Sequence, residues 1–300
     1  MNPYRAPQIE SNWWRIVLYL FLWIIGVFLF SIPAFIFFSD FLEGDIPDVL
    51  MNHLGYQSAI QLAMALGAIG ASWLMIKEIE YRNFSFYRLT FVGKLLIQGL
   101  AIGVIMMLLF SFLVDVLGVI EFNYVGLSTR LLISFFLYLL VAVAEEVLVR
   151  GYILTNLQEK MSPFLALVVS SLFFGSLHLG NHHFSWIGFA TISLSGFLMG
   201  LLTLKTGSIS AAVGLHWSWN YVQGPALGFA VSGHQEIGIL SPLATSAATF
   251  SGGKFGAEGS ALMTILSLLT AIGGCYYLFD RKLFFGSKRV FPKPELSEEK

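Results

Sequence analysis

Long apolar runs, separated by short segments rich in charged residues, Gly, Pro or Asn, occupy most of the chain. A helix needs about 20 apolar residues to cross the hydrocarbon core of a bilayer, which is ~30 Å thick. Runs near that length occupy residues 16–38, 57–76, 95–114, 131–156, 164–179, 184–204, 209–231 and 261–279. The pattern therefore predicts an all-α fold: a polytopic membrane helix bundle with about eight transmembrane helices, forming one integral membrane domain over residues 1–300.

The composition fits a bilayer environment better than an aqueous one. Hydrophobic residues make up 56% of the chain and charged residues only 12%, whereas about a quarter of the residues in soluble domains are charged. We therefore expect membrane lipids to surround the protein. The formal net charge is −1 and no strongly basic stretch precedes the C-terminal tail, which argues against nucleic acid as a partner. The single cysteine, Cys275, excludes an intrachain disulfide and a cysteine-based zinc site.

Positive charges alternate between the segments that connect the apolar runs. Cytoplasmic loops of membrane proteins carry an excess of Lys and Arg. One set of loops and ends holds Arg5, Arg15, Lys77, Arg82, Arg88, Lys94, Lys160, Lys205 and the basic residues that follow residue 280. The other set holds only Arg130 and Lys254. This asymmetry predicts that both termini are cytoplasmic and that residues 281–300 form a cytoplasmic tail.

The segment 232–260 is rich in Gly, Ser, Thr and Ala and is long for a connection between two helices of a bundle. Two interpretations stay open for it: a substrate lid, or a floppy outer loop. The outer loops also contain His53 and His234, for which the sequence offers no partner.

Three ionisable residues interrupt the fourth apolar run: Glu145, Glu146 and Arg150. A charge at membrane depth costs several kcal/mol, so such residues are candidates for function. The i,i+4 spacing places Glu146 and Arg150 on one helix face, and we expect Arg150 to neutralise Glu146. Glu145 points about 100° away, and a desolvated carboxylate without a charge partner suits a general base. The alternative is that all three residues lie at the interface and extend toward the headgroups.

His178 follows a turn that we place near residue 161, as far beyond it as Glu145 lies before it. In an antiparallel helix pair the two residues come level, about 25 Å from the turn at ~1.5 Å per residue. A carboxylate and an imidazole at one height could hold and polarise a water molecule. The alternative for a single His in an apolar run is a hydrogen-bonded core residue.

His216 and Asn220 share a helix face in the seventh run through the same i,i+4 spacing. Imidazole and amide groups donate hydrogen bonds to an oxygen that becomes negative in a tetrahedral intermediate, so the pair suits an oxyanion hole. The alternative is a structural role, because polar side chains also hold membrane helices together.

Three motifs stand in order along the chain: Glu145-Glu146-x-x-x-Arg150, Phe174-x-x-x-His178 and His216-x-x-x-Asn220. Together they resemble the motifs of the CAAX-protease and bacteriocin-processing family of intramembrane endopeptidases, also called the Abi family. That family includes the prenyl-protein CAAX endopeptidase of eukaryotes. The resemblance covers residues 131–224, the expected catalytic core, and the general plan of the helices.

The resemblance implies hydrolysis of a peptide bond inside a membrane cavity that is open to the cytosol. The implied substrate is a membrane-associated peptide or a lipidated protein. The implied roles are water activation by Glu145 and His178, oxyanion binding by His216 and Asn220, and support of the site by Glu146 and Arg150. We expect the enzyme in the plasma membrane of a bacterium, as a multi-pass protein.

The family is often described as metalloproteases, and Glu145, His178 and His216 could in principle bind zinc. The sequence has no His-Glu-x-x-His helix to supply the usual zinc ligands, so we favour glutamate catalysis without a metal or other cofactor. The rival interpretation is a non-catalytic membrane protein, either a transporter or a bacteriocin self-immunity factor that binds a partner. Polar residues inside the membrane also mark transport pathways, although transporters often carry internal repeats, and we find no such repeat.

Overall fold

A computed structural model describes residues 6–38 and 53–277. Its main helices are α1 (Asn12–Phe38), α2 (Leu54–Leu74), α3 (Gly93–Val116), α4 (Arg130–Glu146), α5 (Pro163–Ser176), α6 (Trp186–Thr206), α7 (Ser210–Tyr221) and α8 (Ala261–Tyr277). π-Helical turns extend α2 (Met75–Ile79), α4 (Val147–Ile153) and α7 (Val222–Ala226), and α4 continues over Leu154–Gln158. Single turns of helix cover Phe84–Tyr87, Ala248–Ser251, Gly253–Phe255 and Ala257–Gly259. The predicted tail, residues 281–300, lies outside the described residues.

Several of these helices are long and apolar enough to cross a membrane. They are α1, α3, α6, and α2 and α4 taken with their extensions, Leu54–Ile79 and Arg130–Gln158. α5 and α8 are apolar but shorter, with 14 and 17 residues. The chain is therefore a multi-pass helical membrane protein. The predicted count of about eight spans and the cytoplasmic side of both termini stay predictions.

Close packing between α3 and α7 fixes the helix that carries the third motif. A Cβ atom at Gly99 would collide with the carbonyl oxygen of Ala211. Gly214 meets the backbone of Leu96 in the same way. Small residues allow membrane helices to approach until their backbones touch, and this contact drives association where lipid and side chains are equally apolar. α7 is accordingly buried along most of its length.

One end of the bundle, called the basic end below, comprises residues 6–11, 77–92, 159–162 and 205–209. Ion pairs join α1 to two of these segments, since Arg15 Nη1 lies 3.4 Å from carboxylate oxygens of both Glu80 and Glu159. The backbone N–H of Ile209 donates to the carbonyl of Arg88 at 3.1 Å. The connections α2–α3, α4–α5 and α6–α7 therefore meet at the same end of the molecule.

The opposite end, called the sheet end below, comprises residues 117–129, 177–185 and 227–260. Strands β1 (Ile120–Tyr124) and β2 (Leu240–Ala244) pair antiparallel there, with Ile120 opposite Ala244. The predicted all-α bundle is confirmed, and these two short strands lie in its connections, in loops far apart in sequence that carry no local pairing signal. The segment 232–260 contains β2 and three single turns of helix, and both interpretations of it, a substrate lid and a floppy outer loop, stay predictions.

Candidate active site

α4 carries the first motif immediately before its π-helical turn. Arg150 Nη1 donates to Glu146 Oε1 at 2.9 Å, and both side chains are buried. The predicted ion pair is thus present. Arg150 Nη2 also donates to the carbonyl of Gly196 on α6, and the guanidinium lies 4.0 Å from the ring centroid of Phe174 on α5. Arg150 therefore joins three helices around the buried carboxylate.

Glu145 points away from this ion pair, as the spacing predicts. Its side chain is 18% exposed, and its Oε2 atom forms no hydrogen bond within the described part of the chain. The nearest charged partner is His216, whose Nε2 atom lies 3.8 Å from Glu145 Oε2. Glu145 thus faces α7 with an acceptor oxygen free for a water molecule or a substrate.

His216 lies between the two glutamates. Its Nδ1 atom lies 3.0 Å from Glu146 Oε1, while its Nε2 atom faces Glu145. An ionised carboxylate only accepts hydrogen bonds, so Nδ1 carries the proton in this contact. The spacing along the chain predicts only the pairing of Glu146 with Arg150, because Glu146 and His216 are 70 positions apart.

His178 lies just beyond the end of α5. Its Nδ1 atom lies 3.0 Å from the carbonyl oxygen of Phe174. A carbonyl oxygen only accepts hydrogen bonds, so Nδ1–H is the donor and a neutral His178 presents Nε2 as an acceptor. The ring of Phe174 contacts both His178 and His216, with centroid distances of 5.2 and 5.8 Å. Phe174 therefore sets the position of both imidazoles.

One cavity of about 370 Å³ brings the predicted catalytic residues together: Glu145, His178, His216 and Asn220 all line it. Glu146 and Arg150 are buried behind its wall. The additional polar lining comes from Tyr56, Gln57, Gln61, Tyr138, Asn181, Ser195, Ser232, His234, Glu236 and Glu258. The cavity thus combines the four candidate groups with a polar surface that extends to the sheet end.

Two further carboxylates in this wall were missed by the sequence analysis. Glu258 Oε2 accepts hydrogen bonds from the backbone N–H and the hydroxyl of Ser232, both at 2.8 Å. Burial raises the pKa of Glu258, although Ser232 and the nearby His178 partly offset the shift. Burial likewise raises the pKa of Glu236, which accepts a hydrogen bond from Tyr138. Single acids in a Gly-rich loop lack the periodicity that would reveal them.

His234 lies in a loop at the sheet end, as predicted, but the prediction that it has no partner is wrong. Its backbone pairs with Val231, and its side chain lines the cavity with the ring centroid 6.2 Å from that of His182. Burial, followed by the proximity of His182 and His178, lowers the pKa of His234.

Gly256 packs the turn that carries Glu258 against the loop that follows α7. Its φ of 100° lies in the region that favours glycine, and a Cβ atom there would collide with the carbonyl oxygen of Ala230. The absence of a side chain at residue 256 therefore allows the turn that carries Glu258 to pack against Ala230.

The alternative zinc set, Glu145, His178 and His216, does not fit a metal centre well. Zinc sites use three or four ligands at about 2.0–2.3 Å. Within residues 6–38 and 53–277, no group of three or more His, Cys, Asp and Glu side chains is close enough to hold a metal ion. Metal-free catalysis stays a prediction, and no step below involves a metal.

Comparisons with known proteins agree with the motifs. Residues 126–222 match the family model described as "Type II CAAX prenyl endopeptidase Rce1-like". The chain is also similar to "Uncharacterized protein YyaK" of Bacillus subtilis (strain 168), with 26% identity over 240 residues that cover 72% of this chain and 79% of that protein. The matched segment contains all three motifs that line or support the cavity. The match therefore supports the resemblance of this segment to the CAAX-protease and bacteriocin-processing family.

Proposed function

We propose that the protein is an intramembrane endopeptidase that hydrolyses a peptide bond of a membrane-associated or lipidated peptide. The observation that carries this proposal is the convergence of Glu145, His178, His216 and Asn220 on one cavity within the helix bundle. α4, α7 and the turn after α5 contribute these residues. A general base, a second polar group for water and two oxyanion donors are the parts that metal-free hydrolysis of an amide needs.

In the first step, Glu145 and Nε2 of His178 hold a water molecule beside the substrate carbonyl. Glu145 takes one proton from the water as the new C–O bond forms, and the carbonyl oxygen becomes an oxyanion. Its negative charge is stabilised by the side-chain amide of Asn220 and by a protonated Nε2 of His216. When the intermediate collapses, the C–N bond breaks and Glu145 returns its proton to the leaving amine.

Glu146 and Arg150 act as positioning residues in this scheme. His216 stabilises an oxyanion only if Nε2 carries a proton in addition to Nδ1, and the imidazolium then has a positive charge. Glu146 and Glu145 lie on either side of that charge and compensate it. Arg150 in turn keeps Glu146 at the correct place through its contacts to α5 and α6.

The test is hydrolysis by the purified full chain in liposomes, with lipidated and apolar peptides as candidate substrates. Glu145→Gln removes the base but keeps the shape of the side chain, so we expect turnover to fall by about two to four orders of magnitude. Glu121→Gln on β1 is the matched control, because Glu121 is exposed and outside the cavity, and it should keep full activity.

Full activity of Glu145→Gln would overturn the proposal. A cellular phenotype that survives in this variant would instead favour the rival interpretation, a transporter or an immunity factor that acts by binding. We also propose a bacterial plasma membrane as the location, in line with the bacterial origin of the similar protein from Bacillus subtilis.

A further inference from the structure

The two ends of the bundle differ in how they relate to the cavity. The sheet end contributes Asn181, Ser232, His234, Glu236 and Glu258 to the cavity wall. In contrast, the wall contains no residue of the described segments 6–11, 77–92, 159–162 and 205–209, which form the basic end. Among the described residues, the cavity is therefore continuous with loops of the sheet end and not with those of the basic end.

Hydrogen bonds hold the mouth of the cavity together. Asn181 Nδ2 donates to the carbonyl of Ser232 at 2.9 Å, and Ser232 donates to Glu258. The loop after α5 and the segment 232–260 are joined in this way beside His178. His234, two residues beyond Ser232, lines the cavity with one part of its surface and is exposed to solvent with another. An exposed lining residue marks the place where the cavity meets the surface.

The charges of the loops assign a side of the membrane to each end. Lys77, Arg82, Arg88, Lys94, Lys160 and Lys205 lie at or next to the basic end. The loops of the sheet end hold only Arg130 and Lys254. The rule of positive cytoplasmic loops counts Lys and Arg, and not net charge, so pairing of Arg15 and Arg82 with acids at the basic end does not weaken the assignment.

We infer that the cavity opens to the non-cytoplasmic side of the membrane, and that its substrate is a peptide segment presented on that side. This orientation is the reverse of the cytosol-facing cavity implied by the family resemblance. The identity of the occupant as a substrate rests on the proposed function, whereas the side of access does not. A peptide outside the cell, or the outer part of a membrane-anchored protein, meets the requirement.

Cysteine labelling tests the side of access without any need for catalysis. Cys275 is first replaced by Ser, which removes the native thiol. His234→Cys then reports on the mouth, and Ser85→Cys reports on the basic end, because both positions are exposed. A charged maleimide that cannot cross membranes is applied to right-side-out and to inverted vesicles. We expect His234→Cys to react in right-side-out vesicles and Ser85→Cys to react in inverted ones.

A third variant, Gln61→Cys, reports on the cavity interior, since Gln61 lines it from α2. A small cationic methanethiosulfonate should reach this thiol in right-side-out vesicles only. Reaction of Gln61→Cys or His234→Cys in inverted vesicles alone would overturn the inference. The same labelling in a Glu145→Gln background separates the two proposals, because loss of activity there leaves the pattern of access unchanged.

Discussion

Glu146 is hydrogen-bonded to His216 across the interface of α4 and α7, with 3.0 Å between Glu146 Oε1 and His216 Nδ1. The same oxygen accepts the hydrogen bond of Arg150 at 2.9 Å. One buried carboxylate thus connects the cation that holds the helices together with the imidazole that faces the cavity. A supporting residue of this kind affects the stability of the bundle and the protonation of the site at the same time.

Glu146→Gln should therefore lower both stability and activity. The amide keeps an acceptor for His216 but leaves the buried charge of Arg150 without its partner, and breaking a buried pair costs about 3–5 kcal/mol. We expect a lower melting temperature in detergent and a shifted pH–rate profile for the remaining activity. The double variant Glu146→Gln with Arg150→Met should recover stability without recovering activity. An unchanged pH–rate profile would reduce Glu146 to a purely structural residue.

Asn220→Ala should reduce turnover by about two to three orders of magnitude, the usual cost of losing one oxyanion donor. The change removes a donor needed only when the oxyanion forms, so KM should stay nearly constant while kcat falls. Steady-state kinetics in liposomes measure both quantities. Asn123→Ala on the exposed face of β1 serves as the control. A rise in KM with an unchanged kcat would contradict the oxyanion role and point to substrate binding.

Spacing along the chain predicted which polar side chains of the site share a helix face, because each residue of an α-helix is rotated by about 100° from the one before it. The four-residue interval fixed the contact between Glu146 and Arg150, and the adjacent position sent Glu145 to another face. The contact of His216 with Glu146 could not be predicted in this way, since it depends on how α4 and α7 pack. The pairing of β1 with β2 and the burial of Glu258 arise from loops, where no periodic pattern exists.

Glu258 should make the folded state less stable as the pH rises. Burial raises the pKa of this carboxyl above its value in the unfolded chain, which is about 4.3. The folded protein then binds more protons between the two pKa values, so its stability is greatest below the unfolded pKa and declines as pH rises through the folded pKa. As the pH rises over this range, the melting temperature of Glu258→Gln should fall less steeply than that of the unchanged protein. Glu121→Gln should keep the slope of the unchanged protein, and an equal slope in Glu258→Gln would contradict the assignment.

Chelation should leave the hydrolytic activity unchanged. The described residues offer no group of three or more His, Cys, Asp and Glu that could hold a metal ion, and the proposed steps use only proton transfers and hydrogen bonds. Activity is measured before and after treatment with EDTA and phenanthroline, and the metal content of the active protein is determined in parallel. Loss of activity that only added zinc restores would show that Glu145 and the two histidines bind a metal.

The cavity should prefer peptides that carry a positive charge near the bond to be cut. Three carboxyl groups, Glu145, Glu236 and Glu258, and three histidines line it, whereas its described lining contains no Lys or Arg. A charge in a site of low dielectric interacts more strongly with such groups than it does in water, and a difference of 1.4 kcal/mol already gives a tenfold preference. Matched peptides with Lys or Glu beside the cleavage position should thus differ in kcat/KM by at least about tenfold.

Glu236→Gln removes one carboxylate that no proposed step uses, so it should reduce this preference while cleavage of a neutral peptide persists. Equal kcat/KM values for the two peptides, or a preference unaffected by Glu236→Gln, would show that the acidic wall does not select the substrate.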